Sequence, residues 1–436
     1  MATWHNFQHN AVSFVVETTY LDWNTSFPAI SICENEAPDK LFESAERLFG
    51  EDRNMNMDFF LRDITFFDGT CTSCTTHCGV TFNCTEDIEK LINEVRAPCN
   101  QFLDFCRWNG KPFDCCKYFL PVVTELGICY TSQSFHTSGM NVKEYLKSNR
   151  KTGPGRLDLT LYEAAVVYIH APEDVPYINH PQEEKAVLNW GNILSLRFQV
   201  NEIENDPALR REVSVEQRNC RFPDENDIPM FKYYSYSTCV TYCRARAQIH
   251  YCNCTHHFMP KLPGIKTCTI EGLSCLTKYS ETIRALRTEE IGNKGLVCNC
   301  IPSCLEPEYT VVSKIELPNK DYKNENFGSL VSIIMDSLPT QRFKRNVVRT
   351  RLDLVVSIGG TLGLFLGASL LSSAELIYYF FIRKKLPSSE TSSSSKSDVI
   401  NVKTIRMKRR HLDPEVFVKM SRHRTFAGDR IYPFLP

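Results

Sequence analysis

The stretch Leu354–Ala374 reads LVVSIGGTLGLFLGASLLSSA and holds 21 consecutive residues without a charge. Charged residues flank it, with Asp353 directly before it and Glu375 directly after it. At a helical rise of 1.5 Å per residue, about twenty apolar residues cover the roughly 30 Å hydrocarbon core of a bilayer. The stretch therefore predicts a transmembrane helix, and no second stretch of the sequence combines this length with this apolarity.

Small side chains are unusually frequent in this predicted helix. Gly359, Gly363 and Gly367 recur every four residues, and serine and alanine follow them. Small residues at this spacing let helix backbones approach one another closely inside a membrane. The pattern fits a glycine-rich anchor or dimerisation seam, and equally a segment that lines a pore.

Cysteine lies on one side of the predicted helix only. All 20 cysteines fall between Cys33 and Cys304, and the last 132 residues have none. Three glycosylation sequons, at Asn24, Asn83 and Asn253, fall in the same part of the chain. A membrane that separates an oxidising from a reducing compartment accounts for this division. We therefore expect residues before the helix to be extracellular and the C-terminal tail to be cytoplasmic.

These boundaries predict four parts. Residues 1–32 contain only the short apolar run Ala11–Val16, and we interpret them as the remnant that comes directly after a membrane helix encoded further upstream. Residues 33–348 form a cysteine-rich extracellular domain, and residues 352–382 form the membrane helix. Residues 383–436 form a cytoplasmic tail that begins too rich in serine to build a core. The net charge of −1 gives no basis for expecting nucleic acid as a partner.

The extracellular part is predicted to be α+β. Alternation of apolar and polar residues predicts strands at Leu157–Leu161, Leu194–Val200 and Tyr309–Leu317, and the run Ala164–Ile169 is typical of a further strand. Two segments without clear caps, Ser235–Ala247 and Lys278–Glu290, are predicted to be helices. A central sheet with helical regions around it is the expected architecture.

One cysteine motif admits two uses. Cys71, Cys74 and Cys78, with His77 among them, have the spacing of a zinc knuckle. In an extracellular region this rich in cysteine, disulfides are the favoured use of these thiols. The histidines elsewhere have no metal-ligand spacing, and no hydrolase or protease signature is present. We therefore expect neither a bound metal or cofactor nor an enzymatic activity.

Three patterns in the chain occur together in one protein family. Phe27–Cys33 reads FPAISIC, Tyr234–Cys254 and Cys298–Cys304 are dense in cysteine, and Gly363–Phe380 reads GLFLGASLLSSAELIYYF. In this combination the sequence resembles the degenerin/epithelial sodium channel family, and within it the insect pickpocket branch. The resemblance covers residues 20–385. The family's N-terminal cytoplasmic segment and first membrane helix fall outside it.

The resemblance implies a homo- or hetero-trimer in the plasma membrane, with a pore lined by the C-terminal helix. Gly367, Ala368 and Ser369 match the selectivity filter for permeant Na⁺, and Glu375 matches an acidic ring below it. Acid-sensing members carry an aspartate where this chain has Ser357. We therefore expect Asp353, four residues earlier and on the same helix face, to form the outer acidic ring. The residues near the implied gate are Val356, Ser357, Gly359, Gly360 and Gly363.

The resemblance also implies a disulfide-rich thumb over residues 220–304. Its implied pairs, with one that ties the first strand to the finger region, are Cys220–Cys304, Cys239–Cys300, Cys243–Cys298, Cys252–Cys275, Cys254–Cys268 and Cys33–Cys129. Cys106 is expected to pair with Cys115 or Cys116. The partners of six cysteines stay open, namely Cys71, Cys74, Cys78, Cys84, Cys99 and the remaining one of Cys115 and Cys116. One departure comes after Cys129, because Ser132-Gln133 stands where the family usually has Phe-Asn.

The function expected from these features is that of a subunit of a sodium-selective cation channel gated by a ligand or by force. The extracellular ligand is not identified by the sequence. The alternative is a non-conducting single-pass receptor or adhesion ectodomain, or a truncated modulatory subunit.

Overall fold

The structure is a computed structural model that describes residues 2–18, 23–84, 87–138, 146–287, 295–305, 307–319, 328–367 and 369–382. The chain divides into two compact units, residues 1–368 and 369–436. The helices are Ala2–His9 (α1), Pro38–Phe49 (α2), Asn56–Thr65 (α3), Thr72–Thr76 (α4), Ile88–Val95 (α5), Cys99–Phe102 (α6), Cys115–Tyr118 (α7), Phe135–Ser138 (α8), Leu209–Glu212 (α9), Val215–Arg218 (α10), Tyr236–Cys252 (α11), Ile270–Lys278 (α12), Ser280–Arg284 (α13), Arg351–Leu366 (α14) and Leu370–Ile377 (α15). The strands are Val12–Glu17 (β1), Thr25–Ser26 (β2), Ala29–Glu34 (β3), Leu103–Trp108 (β4), Lys111–Pro112 (β5), Leu120–Thr124 (β6), Gly127–Ser132 (β7), Lys147–Ser148 (β8), Arg156–Leu161 (β9), Ala165–His170 (β10), Lys185–Leu188 (β11), Asn192–Asn205 (β12), Glu308–Pro318 (β13), Ser329–Met335 (β14) and Arg342–Val347 (β15).

A mixed sheet of eight strands is the centre of the first unit. Its order is β1-β15-β12-β14-β9-β4-β5, and β13 also pairs with β12. The long strand β12 runs parallel to β14 over residues 193–198 and parallel to β15 over residues 202–205. Its pairing with β13 is antiparallel, with a bulge between Arg197 and Phe198. The strand β12 therefore connects β13 and β14 to β15, the strand that precedes α14.

A second, antiparallel sheet of five strands lies in the same unit, in the order β11-β10-β3-β7-β6. Side chains from both sheets share one apolar cluster, which includes Ile32, Leu159, Val167, Phe198 and Ile333. In β9, Leu157, Leu159 and Leu161 are buried while the residues between them are partly exposed, because successive side chains point to opposite faces. The strands predicted at Leu157–Leu161, Ala164–Ile169, Leu194–Val200 and Tyr309–Leu317 are confirmed.

The helical part of the unit has its own apolar cluster, in which Leu61, Ile64, Leu91 and Leu273 are buried. These residues come from α3, α5 and α12, whose apolar side chains recur at helical spacing. The described residues thus form an α+β, disulfide-rich domain on a central mixed sheet.

The two predicted thumb helices have different outcomes. The helix predicted at Ser235–Ala247 is present as α11, which continues to Cys252. Ser235 caps it, because its hydroxyl accepts from the Thr238 backbone and the Thr238 hydroxyl accepts from the Ser235 backbone. The helix predicted at Lys278–Glu290 is present only over Ser280–Arg284, and residues 285–287 are not helical. The Thr269 hydroxyl accepts from the Gly272 N–H and starts α12 at Ile270. The five-residue α13 begins two residues after α12 ends at Lys278. Residues 288–290 lie outside the described residues.

Candidate pore site

Three residues separate the helix α14 from β15, and a reciprocal cap fixes its first turn. The Asp353 N–H donates to Thr350 Oγ1 at 3.1 Å, and Asp353 Oδ2 accepts from the Thr350 N–H at 2.9 Å and from its hydroxyl at 2.8 Å. These bonds satisfy backbone donors that the first helical turn leaves unpaired. The carboxylate expected to attract cations thus also starts the helix. The signal for this role, Thr-x-x-Asp before an apolar run, is visible in the sequence.

The helix α14 is apolar and exposed to its surroundings. Leu352 is 70% exposed, Val356 63% and Leu364 81%. A side chain added at Gly359 or Gly360 would meet no atom of the described residues within 4 Å, apart from the backbone of its own helix. Packing within the described part of the chain therefore gives no reason for these glycines. Ser357, at the implied gate, is partly exposed, and its carbonyl accepts from the Thr361 hydroxyl at 2.8 Å.

The implied filter lies where α14 ends. Gly367 adopts a left-handed conformation with φ of 61°, which glycine enters without steric cost. Ser369 caps the start of α15, since its hydroxyl accepts from the Ser372 N–H at 3.1 Å. Ala368 lies outside the described residues. The single helix predicted over residues 352–382 is therefore corrected to two helices, because a left-handed glycine ends the first and a serine cap begins the second.

The second unit is described over residues 369–382 only. Glu375 is exposed in the middle of α15, and a π-helical turn, Tyr378–Ile382, comes next. Leu371 and Leu376, on the same helix, are also exposed. Within the described ranges, no helix is both long and apolar enough to cross a membrane.

Arg345 connects the base of the thumb to the strand that precedes α14, and no sequence pattern singles this residue out. It belongs to β15 and is 8% exposed. Its guanidinium donates to the Cys304 carbonyl at 3.4 Å and to Asn205 Oδ1 at 3.3 Å. Cys304 in turn is bonded to Cys220, so both ends of the thumb meet this strand. A movement of the thumb base would therefore act on β15 directly.

The N-terminal segment flanks the same strand. β1 pairs antiparallel with β15 along its whole length, from Val12 opposite Val347 to Glu17 opposite Arg342. From Val12 on, the predicted apolar run thus belongs to an edge strand of the central sheet, with Phe14, Val15 and Val16 exposed. The helix α1 lies next to α14.

All twenty cysteines form disulfides. The six pairs implied by the resemblance are present, from Cys220–Cys304 to Cys33–Cys129. The pairs left open by the sequence are Cys71–Cys74, Cys78–Cys84, Cys99–Cys116 and Cys106–Cys115. The thiols of the candidate zinc motif are thus all bonded to sulfur.

The sequon residues Asn24, Asn83 and Asn253 are exposed.

An ion pair without solvent contact anchors the thumb helix α11. Arg244 and Glu125 are each 1% exposed, and the Arg244 guanidinium bonds to both carboxylate oxygens. Arg244 also donates to the Ile283 carbonyl at 3.2 Å and to Asn179 Oδ1. Glu125 accepts from the Ile178 N–H at 2.7 Å. The pair therefore joins the thumb to the turn between β6 and β7.

A second buried carboxylate lies between the thumb base and the sheets. Glu173 is 1% exposed, and its Oε1 accepts from the Ser303 hydroxyl at 2.8 Å. Burial, with a smaller contribution from the neighbouring Asp174 carboxylate, raises the pKa of Glu173 to about 7. Burial lowers the pKa of the nearby His136 and His170.

The raised pKa predicts a pH-dependent stability. An unfolded glutamate releases its proton near pH 4.3, whereas folded Glu173 holds its proton to about pH 7. The free energy of unfolding contributed by this group is therefore expected to fall as the pH rises through this window, by on the order of 3 kcal/mol. Glu173→Gln should unfold at a higher temperature than the parent at pH 8 and at a similar one at pH 4.5. The exposed control Glu281→Gln keeps Glu173 and should therefore unfold at the same temperature as the parent at both pH values. A parallel pH trend for Glu173→Gln and the parent would contradict the assignment.

The comparisons with known proteins match sodium channel, pickpocket and acid-sensing ion channel proteins. A family described as "Amiloride-sensitive sodium channel" matches residues 1–379. "Sodium channel protein Nach" of Drosophila ananassae is 25% identical over 412 residues, which cover 86% of this chain and 76% of that protein. "Pickpocket protein 28" of Drosophila melanogaster is 22% identical over 421 residues, which cover 81% of this chain and 66% of that protein. "Acid-sensing ion channel 4-B" of Danio rerio is 24% identical over 318 residues, which cover 63% of this chain and 50% of that protein.

Proposed function

Because this chain belongs to the amiloride-sensitive sodium channel family, we propose that it is a subunit of a channel that conducts Na⁺ passively across the plasma membrane. The observation that carries the proposal is the apolar, exposed helix α14, ended by Gly367 at the implied filter. An apolar helix that is exposed in the isolated chain requires lipid or neighbouring subunits around it.

Packing against neighbouring subunits in a trimer would explain why the side chains of α14 and of residues 367–369 are small. The open space around Gly359 and Gly360 leaves room for the backbone of a neighbouring helix. At Gly367, Ala368 and Ser369, three chains can crowd one axis without side chains blocking it. Carbonyl and hydroxyl oxygens there would replace part of the hydration shell of Na⁺.

Acidic rings on both sides of the filter would concentrate cations. Three copies of Glu375 form the inner ring in this proposal, and three copies of Asp353 form the outer ring. The cap between Thr350 and Asp353 supports the outer ring, because it fixes the carboxylate at the start of α14. Val356 and Ser357 would lie near the gate, with Gly359, Gly360 and Gly363 as the flexible part of the same helix.

The extracellular domain supplies the gating element in this proposal. A ligand or a force acting on the thumb would reach β15 through Cys304 and Arg345, which are in hydrogen-bond contact. The thumb is cross-linked by five disulfides, so it moves as a stiff body. Glycans at Asn24, Asn83 and Asn253 and a cytoplasmic tail over residues 383–436 complete the proposed topology.

Current recording tests the function. The chain is expressed in cells alone and together with a full-length related subunit, and inward current is measured before and after a large organic cation replaces external Na⁺. We expect a current that disappears on replacement. Glu375→Gln should lower the unitary conductance several-fold at equal surface amount, because three carboxylates leave the cation path. The matched control Glu281→Gln removes an equal charge from the thumb and should leave the conductance unchanged.

Two outcomes separate the proposal from its alternative. If the chain reaches the surface and neither conducts nor changes the properties of a partner's pore, it acts as a non-conducting receptor. If Glu375→Gln leaves the conductance of every channel that contains the chain unchanged, the pore contribution is refuted and a modulatory subunit remains.

A further inference from the structure

A small cavity lies where the β4–β5 hairpin and α7 meet the end of β7. Its volume is about 220 Å³. Most of its wall is aromatic or aliphatic, and the residues that line it are Trp108, Lys111, Pro112, Phe113, Lys117, Tyr118, Leu120, Ser132, Gln133 and Leu146. None of these residues has a part in the proposed conduction path.

The aromatic wall is held in place. The disulfides Cys106–Cys115 and Cys99–Cys116 fix α7 against the β4 strand and the α6 helix. Trp108 packs edge-to-face on buried Phe27, with ring centres 4.8 Å apart. Phe113 and Tyr118 meet in the same way at 5.0 Å. The cavity is therefore pre-formed, which lowers the entropic cost of binding a ligand.

One polar group in the cavity has no partner. Ser132 is 2% exposed, and its hydroxyl makes no hydrogen bond within the described part of the chain. An unpaired buried hydroxyl is costly, so native structures usually satisfy it. The next residue, Gln133, holds an uncommon left-handed conformation with φ of 57° while its side-chain amide donates to the Phe27 carbonyl at 2.9 Å. Strained backbone of this kind clusters at ligand sites.

The cavity also has positive charge beside it. Lys111 and Lys117 both line it and are both exposed, so their ammonium groups stand at its solvent side. Lys117 already faces Asp114 at 3.3 Å. Lys111 has no ion-pair partner among the residues described. It is therefore the group available to a negatively charged ligand.

We propose that this cavity binds a small aromatic carboxylic acid, with its ring against Trp108 and Phe113, a polar atom at the Ser132 hydroxyl and its carboxylate at Lys111. The size fits, because an apolar protein cavity of about 150 Å³ is sufficient for benzene. The substitution pattern also fits. Ser132 stands where the family pattern has phenylalanine, and a phenyl ring attached at this position would occupy the space that the serine leaves open. The site does not depend on ion conduction.

The probe is 4-fluorophenylacetate, added to the purified full-length chain in detergent and followed by ¹⁹F line broadening and by the shift in unfolding temperature. We expect saturable binding. Ser132→Phe should abolish it, because the new ring fills the cavity, and should leave the unfolding temperature of the free protein equal or higher. Ser132→Leu provides a smaller filling side chain with the same expected loss. Ser132→Ala should retain binding of this probe, because its only strong hydrogen-bonding group is the carboxylate assigned to Lys111.

Charge recognition is tested with a second probe. Lys111→Gln should weaken 4-fluorophenylacetate by about three-fold, as expected for an exposed ion pair, and should leave the uncharged 4-fluorobenzyl alcohol unaffected. Lys151→Gln, at an exposed lysine outside the cavity, is the matched control. The proposal is overturned if neither probe binds, or if binding survives in folded Ser132→Phe and Ser132→Leu. Equal weakening of both probes by Lys111→Gln would overturn the assignment of the carboxylate to Lys111.

Discussion

Arg244→Met is expected to destabilise the disulfide-rich domain by about 3–5 kcal/mol, the cost of removing one partner from a buried ion pair. The variant leaves the Glu125 carboxylate without its guanidinium, in a place where both residues are 1% exposed. Its only remaining bond of those described is from the Ile178 N–H at 2.7 Å. The carbonyl of Ile283 and the side chain of Asn179 lose a donor at the same time. We expect the unfolding midpoint in denaturant to fall strongly and less protein to reach the cell surface.

Two further variants distinguish the ion pair from a general effect on the helix. Arg246→Met alters an exposed arginine of the same helix, two residues on, and should change stability by less than about 0.5 kcal/mol. Glu125→Gln added to Arg244→Met should recover part of the loss, since a neutral amide costs less to bury than an unpaired carboxylate. Equal effects of Arg244→Met and Arg246→Met would show that the buried pair has no special part in holding the thumb.

Gly367→Val is expected to reduce the sodium current of the proposed channel about ten-fold or more at equal surface amount. A β-branched side chain in the left-handed conformation costs roughly 1–2 kcal/mol, and 1.4 kcal/mol is a factor of ten in population. The left-handed backbone at φ of 61° ends α14 one residue after Leu366. Valine favours continuing the helix instead, which would remove the break at which the filter oxygens are expected.

The control for this variant carries the same backbone strain elsewhere. Gly264 lies in a loop of the thumb with φ of 77°, and a side chain there would meet no atom of the described residues within 4 Å. Gly264→Val should therefore alter stability slightly and leave the current of surface-delivered channels intact. A normal current in Gly367→Val would rule out the helix break at Gly367 as a requirement for conduction. A loss of current in both Gly367→Val and Gly264→Val would show that backbone strain at either glycine is enough to abolish the current.

The sequence predicts the parts of the fold that depend on local pattern. Alternation placed β9 and β13 correctly, because a half-buried strand must alternate between the core and solvent. The thumb pairs came from the resemblance, whereas spacing alone could not pair Cys71 with Cys74 or Cys78 with Cys84, since six open cysteines allow fifteen connectivities.

The missed features depend on backbone conformation or on distant residues. In a hydropathy profile, residues 354–374 form one apolar run, and the profile holds no information on the left-handed conformation of Gly367. A glycine followed two residues later by a serine is nevertheless a pattern that ends one helix and begins the next. Glu125 and Arg244 are 119 residues apart, and no periodicity brings them together. Arg345 reads as one of several basic residues before the helix until the fold sets it against Cys304.

The nested order of the thumb disulfides has a consequence for how the protein is made. The four bridges of the finger region, which here means residues 71–116, span 3, 6, 9 and 17 residues and can close as soon as that short length of chain has emerged. Cys243 must wait for Cys298, 55 residues later, which takes roughly 3 to 11 seconds at typical rates of synthesis. During that interval the thiols of α11 can pair with each other or with newly made finger cysteines. Any such wrong pair must be undone by thiol–disulfide exchange before the thumb can reach its final pairing, well before the chain could meet any stimulus.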